Sequence, residues 1–156
     1  MPKEIILIAA VTVDGFIARH NLEVTSWSLD LSLFKKQTMG YPVIMGANTF
    51  KTLSSELYGR ENIVLNRKDT SESVLKKING HRCFIIGGGA TYSLFSSFIT
   101  HLYVTPHPYV FGEGVRLFEK GTKELKLQFN KLIAVDHQKG IYQYQYKVKD
   151  FLNDSS

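Results

Sequence analysis

Phe84-Ile85-Ile86-Gly87-Gly88-Gly89-Ala90-Thr91-Tyr92 reads as an apolar strand, three glycines and the opening of a helix. Glycine there permits positive φ and removes the Cβ atoms that would keep a ligand away from the backbone. A helix N-terminus behind it carries the partial positive charge that suits a pyrophosphate. The segment is not the GxGxxG fingerprint and has no GK[ST] ending, so it implies neither a standard Rossmann site nor a P-loop. Taken alone, it is equally well a tight strand-to-helix turn. Ile44-Met45-Gly46-Ala47-Asn48-Thr49 repeats the arrangement. Two such helix starts could face one dinucleotide.

Outward from these two turns the chain alternates. Ile5 to Val13 is an apolar run of the kind found in strands covered on both faces. Further strands are expected at Pro42 to Met45, Asn62 to Asn66, Cys83 to Ile86 and His101 to Thr105. Helices are expected at Leu31 to Gln37, Phe50 to Leu57, Ser73 to Ile78 and Thr91 to Phe98. Strands and helices taking turns imply an α/β fold, a mostly parallel central sheet with flanking helices. The last third differs. Leu125 to Asp136 and Ile141 to Lys149 read as an antiparallel hairpin across Gln138-Lys139-Gly140. In its second strand Tyr142, Tyr144, Tyr146 and Val148 share one face and Gln143, Gln145, Lys147 and Lys149 the other. The expectation is a half-exposed strand with the tyrosines packed inward. Phe151 to Ser156 reads as a frayed tail, and residues 1–156 as a single domain.

The chain has 156 residues, 44% of them hydrophobic and 21% charged, which suits one globular unit rather than a disordered chain. No apolar run approaches a membrane span and no signal segment opens the sequence, so no membrane partner and a cytoplasmic location are expected. A lone cysteine, Cys83, excludes an internal disulfide and fits a reducing compartment. The five histidines show no metal-ligand spacing, and no metal site is expected. The formal net charge of +5 would suit nucleic acid, but the basic residues are scattered and no nucleic-acid motif accompanies them. A small polyanion is the better match, bound by a monomer or homodimer.

Asp30-Leu31-Ser32-Leu33-Phe34-Lys35-Lys36-Gln37-Thr38 places an acid at the start of an apolar helix. Asp30 and Phe34 are four apart and share a face, with Lys35 and Lys36 expected to point away. A carboxylate against an aromatic wall can hold a cationic or amidine-like heterocycle. It can equally be an N-cap that accepts orphan N–H groups. The residues of this segment leave both open.

In order along the chain, these segments resemble the dihydrofolate reductase family. Ile8-Ala9-Ala10 with Asp14-Gly15-Phe16-Ile17-Ala18 is similar to its first strand and mobile active-site loop, and Asp30-Leu31-x-x-Phe34-Lys35-x-x-Thr38 to its acid-bearing helix. Val43-Ile44-Met45-Gly46-x-x-Thr49-Phe50 resembles the cofactor turn, and Leu57-x-Gly59-Arg60-x-Asn62-Ile63-Val64-Leu65 the segment whose arginine grips the folate glutamate. Ile85-Ile86-Gly87-Gly88-Gly89-x-x-Tyr92 and Leu102-Tyr103-Val104-Thr105 complete the set. The resemblance implies NADPH-dependent reduction of 7,8-dihydrofolate. Asp30 would be the catalytic acid, supported by the Thr105 hydroxyl. Ile8, Ala9, Leu31, Phe34, Leu57, Arg60 and Ile86 would bind substrate, with Arg60 on its α-carboxylate. Ala10, Ile17, Gly46, Asn48, Thr49, Asn66, Arg67, Gly87, Gly88, Gly89 and Tyr92 would bind the cofactor.

The sequence departs from the family in places. Gly-Arg-x-Thr is here Gly46-Ala47-Asn48-Thr49, and Arg67 is expected to replace the missing cation at the adenosine phosphate. The proline-tryptophan of the active-site loop aligns with Val24-Thr25, and the only tryptophan is Trp27. Pro108 to Phe118 looks more like a related reductase domain of the riboflavin pathway, whose ribosylamino-pyrimidine phosphate is the alternative substrate. A non-catalytic nucleotide- or RNA-binding protein of the same fold is a third reading.

Overall fold

The computed structural model describes residues 1–149, and the expected tail lies outside the described residues. In chain order the elements are β1 (Glu4–Thr12), β2 (Phe16–Ala18), α1 (Leu31–Thr38), β3 (Pro42–Met45), α2 (Ala47–Thr52), β4 (Glu61–Val64) and α3 (Ser71–Lys76). They continue with β5 (Arg82–Gly87), α4 (Gly89–Phe95), β6 (His101–His107), β7 (Val115–Arg116), β8 (Leu127–Asp136) and β9 (Ile141–Val148). Seven strands form one sheet in the order β4-β3-β5-β1-β6-β9-β8, and β2 pairs with β7 apart from it. Strands β4, β3, β5, β1 and β6 run parallel, and β9 and β8 close the sheet antiparallel. The expected architecture is present. Among the described residues no helix is long and apolar enough to cross a membrane.

β1 is apolar throughout because both of its faces are covered. Ile5, Leu7, Ala9 and Val11 pack with Val74, Leu75, Tyr92 and Phe95 from α3 and α4. Ile6 and Ile8 join Val43, Met45, Phe84 and Tyr103 on the other face, against Phe34 and Phe50 of α1 and α2. The period of two along the strand therefore divides one run of residues between two cores.

Two expectations change. α2 starts directly behind Gly46 and ends at Thr52, earlier than the expected Phe50 to Leu57. Residues 53–60 form a loop pinned by Asn62, whose Oδ1 accepts from Leu57 N–H (2.9 Å) and whose Nδ2 donates to Leu57 O (2.9 Å). The second reversal is in β9. Gln143 and Gln145 are buried, with Ile141 on their face, while the tyrosines are half-buried. The amides are buried because they satisfy one another. Gln37 Nε2 donates to Gln143 Oε1 at 2.7 Å, Gln143 Nε2 returns a bond to Gln37 Oε1 at 2.9 Å, and Gln145 Nε2 also donates to Gln143 Oε1. A buried amide with its partners in place costs little to bury, and this set fastens α1 to the sheet.

Candidate active site

The parallel strands end at one cleft of about 600 Å³. Ile8, Ala9 and Ala10 of β1 form its floor, α1 and α2 flank one side, and Gly87, Gly88 and Gly89 close the other. This is the position where ligands meet open α/β sheets, at the carboxyl ends of the strands.

Asp30 precedes α1 and is 7% exposed. It occupies the N-cap position, yet its side chain makes no capping hydrogen bond. The capping alternative is therefore removed. The carboxylate lines the cleft with Ile8, Leu31, Phe34 and Ile86 around it. Burial raises its pKa above the ordinary aspartate value, and the nearby His107, its own backbone N–H and the Thr105 hydroxyl only partly offset that. Thr105 is fully buried beneath the cleft, and its Oγ1 closes no hydrogen bond of normal geometry. Leu31 is 61% exposed, into the open cleft.

At the far end of α1, Thr38 Oγ1 donates to Phe34 O at 2.8 Å and accepts from Arg60 Nη1 at 3.2 Å. Arg60 Nε also donates to Tyr58 O at 3.0 Å. These bonds fix the guanidinium at the cleft wall and use two of its five N–H groups. Partial burial holds its pKa below the ordinary arginine value. Leu57 lines the cleft beside it. Lys35, expected to point away, also lines the cleft, because it lies one turn beyond Leu31 on the face that looks into the opening.

The glycine turns pack against neighbouring side chains where a Cβ would stand. A Cβ on Gly46 would lie 2.7 Å from Thr91 Oγ1, and one on Gly87 would lie 3.1 Å from Thr49 Oγ1. Gly46 N–H donates to Gly87 O at 2.9 Å, so the two turns are tied together. Asn48 and Thr49 line the same end of the cleft, and Ile17 lines it from the loop side. Tyr92 is buried below, its hydroxyl donating to Ile8 O at 2.7 Å. Burial, and then the Asp30 charge, push its pKa up. Gly89 is crowded by backbone rather than by side-chain ends alone. Its Cβ would collide with Arg116 O and stand 2.8 Å from Glu119 Cβ, so α4 can pack here only with glycine. Gly89→Ala is expected to cost about 1–3 kcal/mol by overpacking. A thermal melt should show this as a drop of roughly 2–10 °C; an unchanged midpoint would mean that the contact relaxes freely.

Asn66 and Arg67 do not line the cleft. They lie in the exposed turn after β4, where Asn66 Oδ1 accepts from Lys68 N–H at 2.9 Å and Asn66 N–H donates to Asp69 Oδ2 at 2.8 Å.

Sequence reasoning did not find the loop residues that shape the opening. Glu23 faces the cleft and accepts from Arg19 Nη1 (2.9 Å) and Trp27 Nε1 (3.2 Å). Burial draws its pKa upward, but the Arg19 and Trp27 bonds outweigh that and leave it lowered. Trp27 does not enter the cleft. It is buried edge-on to His107 and Phe111, with ring centroids 5.3 Å away in each case. Thr25 and Ser28 line the cleft instead. Asp14 anchors the same region from below, accepting from the N–H groups of Phe111 (3.2 Å) and Gly112 (2.8 Å).

A mostly parallel sheet whose strands end at a cleft lined by two glycine turns and a buried acid defines a ligand-binding α/β protein. The family described as "Dihydrofolate reductase" matches residues 4–147. A dihydrofolate reductase from Bacillus subtilis is 33% identical over 144 residues, covering 83% of this chain and 84% of that protein. One from Haemophilus influenzae is 33% identical over 110 residues, 64% of this chain and 69% of its own length. A dihydrofolate reductase structure from Enterococcus faecalis, complexed with NADP(H), superposes with a TM-score of 0.73 at 22% identity, covering 96% of this chain and 99% of that one. The chain belongs to the dihydrofolate reductase family.

Proposed function

We propose that this chain reduces 7,8-dihydrofolate to tetrahydrofolate with NADPH, as a single domain in a reducing cytoplasm. The observation that carries the reading is Asp30: buried, released from capping, and exposed only to the cleft. Its charge favours the protonated form of a pterin amino-pyrimidine edge, and the surrounding apolar walls strengthen that attraction. Leu31 and Phe34 flank the ring system, and Arg60 meets the α-carboxylate of the glutamate tail with the N–H groups it has left. Bound NADPH supplies the hydride. Gly46, Gly87 and Gly88 line the cleft with Asn48 and Thr49 at the starts of α2 and α4, a position that suits the cofactor's phosphates. Thr25 brings a hydroxyl to the cleft where the family carries a tryptophan, with Ser28 beside it in the lining.

Following NADPH oxidation with dihydrofolate, and in parallel with the ribosylamino-pyrimidine phosphate of riboflavin synthesis, tests the reading. Turnover of the first alone is expected. Turnover of the second alone would sink it, and turnover of neither would favour a binding role.

Arg67 is proposed as the cation for the cofactor's 2′-phosphate, with Asn66 shaping the turn that presents it. An exposed position suits the far end of a dinucleotide, where the phosphate meets solvent. Arg67→Ala should weaken NADPH about tenfold to a hundredfold while leaving NADH nearly unchanged. The preference should fade with added salt, because an exposed pair is screened. Titrating both cofactors decides it, since equal losses or none would remove Arg67 from the site.

A further inference from the structure

His107 ends β6, two residues beyond Thr105, and is 1% exposed. Its imidazole faces two backbone groups. Nδ1 lies 2.9 Å from the carbonyl oxygen of Thr105, and Nε2 lies 2.9 Å from the nitrogen of Leu29. A carbonyl only accepts and an N–H only donates, so Nδ1 carries the proton and Nε2 offers its lone pair. Both nitrogens are thereby committed, and the ring links the backbone of Leu29 to that of Thr105. Trp27 closes one side of it edge-on. Lys139 and Tyr109 face it across a second, smaller cavity of about 380 Å³, and Asp30 is the carboxylate close enough to feel its charge state.

This link lies where Asp30 needs one. Its side chain has no capping bond to hold it, and residues 19–28 immediately before it form no helix and no strand. Leu29 is the residue just before Asp30, and its N–H has its acceptor in His107. We propose that His107 is a positioning residue of the reductase, a two-armed strut that ties the backbone before Asp30 to the strand carrying Thr105 and so holds the carboxylate in the cleft beside the Thr105 hydroxyl. The role rests on the reductase reading of the cleft. The ring itself transfers no proton and touches no ligand.

The two arms can be separated by amide side chains of different reach. In His107→Gln the terminal amide extends to where Nε2 stands, so its oxygen accepts from Leu29. In His107→Asn the amide stops where Nδ1 stands, donating to Thr105 and leaving Leu29 N–H unpaired in the interior. Both variants lose the ring against Trp27, so that packing loss is common to the two and the difference between them reads the Leu29 arm. The expected result for His107→Asn in the full chain is a fall in kcat of about tenfold to a hundredfold with KM for NADPH nearly unchanged, a transition-state loss rather than a binding one. His107→Gln should stay within about threefold of the parent protein.

A second readout needs no turnover. With 13C-labelled aspartate, the Asp30 carboxyl should titrate closer to the ordinary aspartate value in His107→Asn than in His107→Gln, because both variants lose the imidazole's influence on Asp30 and only the first opens the segment to water. Equal kcat in the two variants, or an Asp30 midpoint that is the same in both, would overturn the proposal. If His107→Asn does not fold, His107→Leu, which keeps apolar bulk and lacks both arms, takes its place with the same expected outcome. A parent protein that fails to reduce dihydrofolate would sink the reductase reading instead, while the Asp30 titration would still decide whether His107 holds the carboxylate.

Discussion

Asp30→Asn should lose about two to four decades in hydride transfer at neutral pH, the range expected when an electrostatic or acid-base group is removed from a preorganised site. Asparagine keeps the size and a hydrogen-bonding oxygen, and loses the charge that favours a protonated pterin. The same substitution should make the fold more stable. Burial raises the Asp30 pKa, so the folded chain binds that proton more tightly than the unfolded chain does. Stability therefore falls as pH rises from the ordinary aspartate value near 3.8 through the raised folded value, and the cost is fully present above it. Asparagine carries no such cost. Its melting temperature should exceed that of the parent at neutral pH, and the two should converge at acid pH, below the ordinary carboxylate range. Single-turnover rates and melts across pH measure both effects. A folded Asp30→Asn variant with parental activity would reduce Asp30 to a structural residue. A melting temperature lowered at neutral pH would mean that the carboxylate contributes bonds which burial does not outweigh.

The parts legible in the sequence were those in which one residue type has one use. Gly46 and Gly87 announced two strand-to-helix turns, and the apolar run of β1 announced a strand between two cores. Asp30 was visible as an acid beside an aromatic, but its release from capping was not, since a cap and a ligand-binding carboxylate look alike in one dimension. The face of β9 was misread because alternation assigns tyrosine inward and glutamine outward. The reciprocal Gln37–Gln143 pair reverses that across 106 positions of sequence. Lys35 was misplaced for a related reason: a helix face that borders an open cleft is neither core nor bulk solvent. His107 carried no signal at all. Its meaning comes from a backbone N–H and a backbone carbonyl, and backbone partners leave no mark on residue identity.

Arg60→Leu should raise the KM for dihydrofolate by around tenfold to over a hundredfold, because a charge-assisted hydrogen-bonding group is worth about 1.5–3 kcal/mol. The guanidinium is prepared for this before any ligand arrives. Thr38 Oγ1 and Tyr58 O hold it through Nη1 and Nε, so little side-chain entropy is lost when a carboxylate binds. Its partial burial adds to the attraction by keeping water from competing. Lys35, also on the cleft wall, cannot replace it, since an ammonium offers a point charge where a carboxylate is matched by a planar fork. Thr38 is fully buried, so loss of Arg60 also leaves an unpaired hydroxyl lone pair near the end of α1, a small cost to stability and not to cofactor binding. NADPH affinity should therefore barely change. A pterin lacking the glutamate tail separates recognition from folding: it should be reduced equally well by the parent and by Arg60→Leu. Equal damage with and without the tail would place the effect in α1 rather than in the carboxylate contact, and no damage with either would leave the tail's partner elsewhere on the cleft wall.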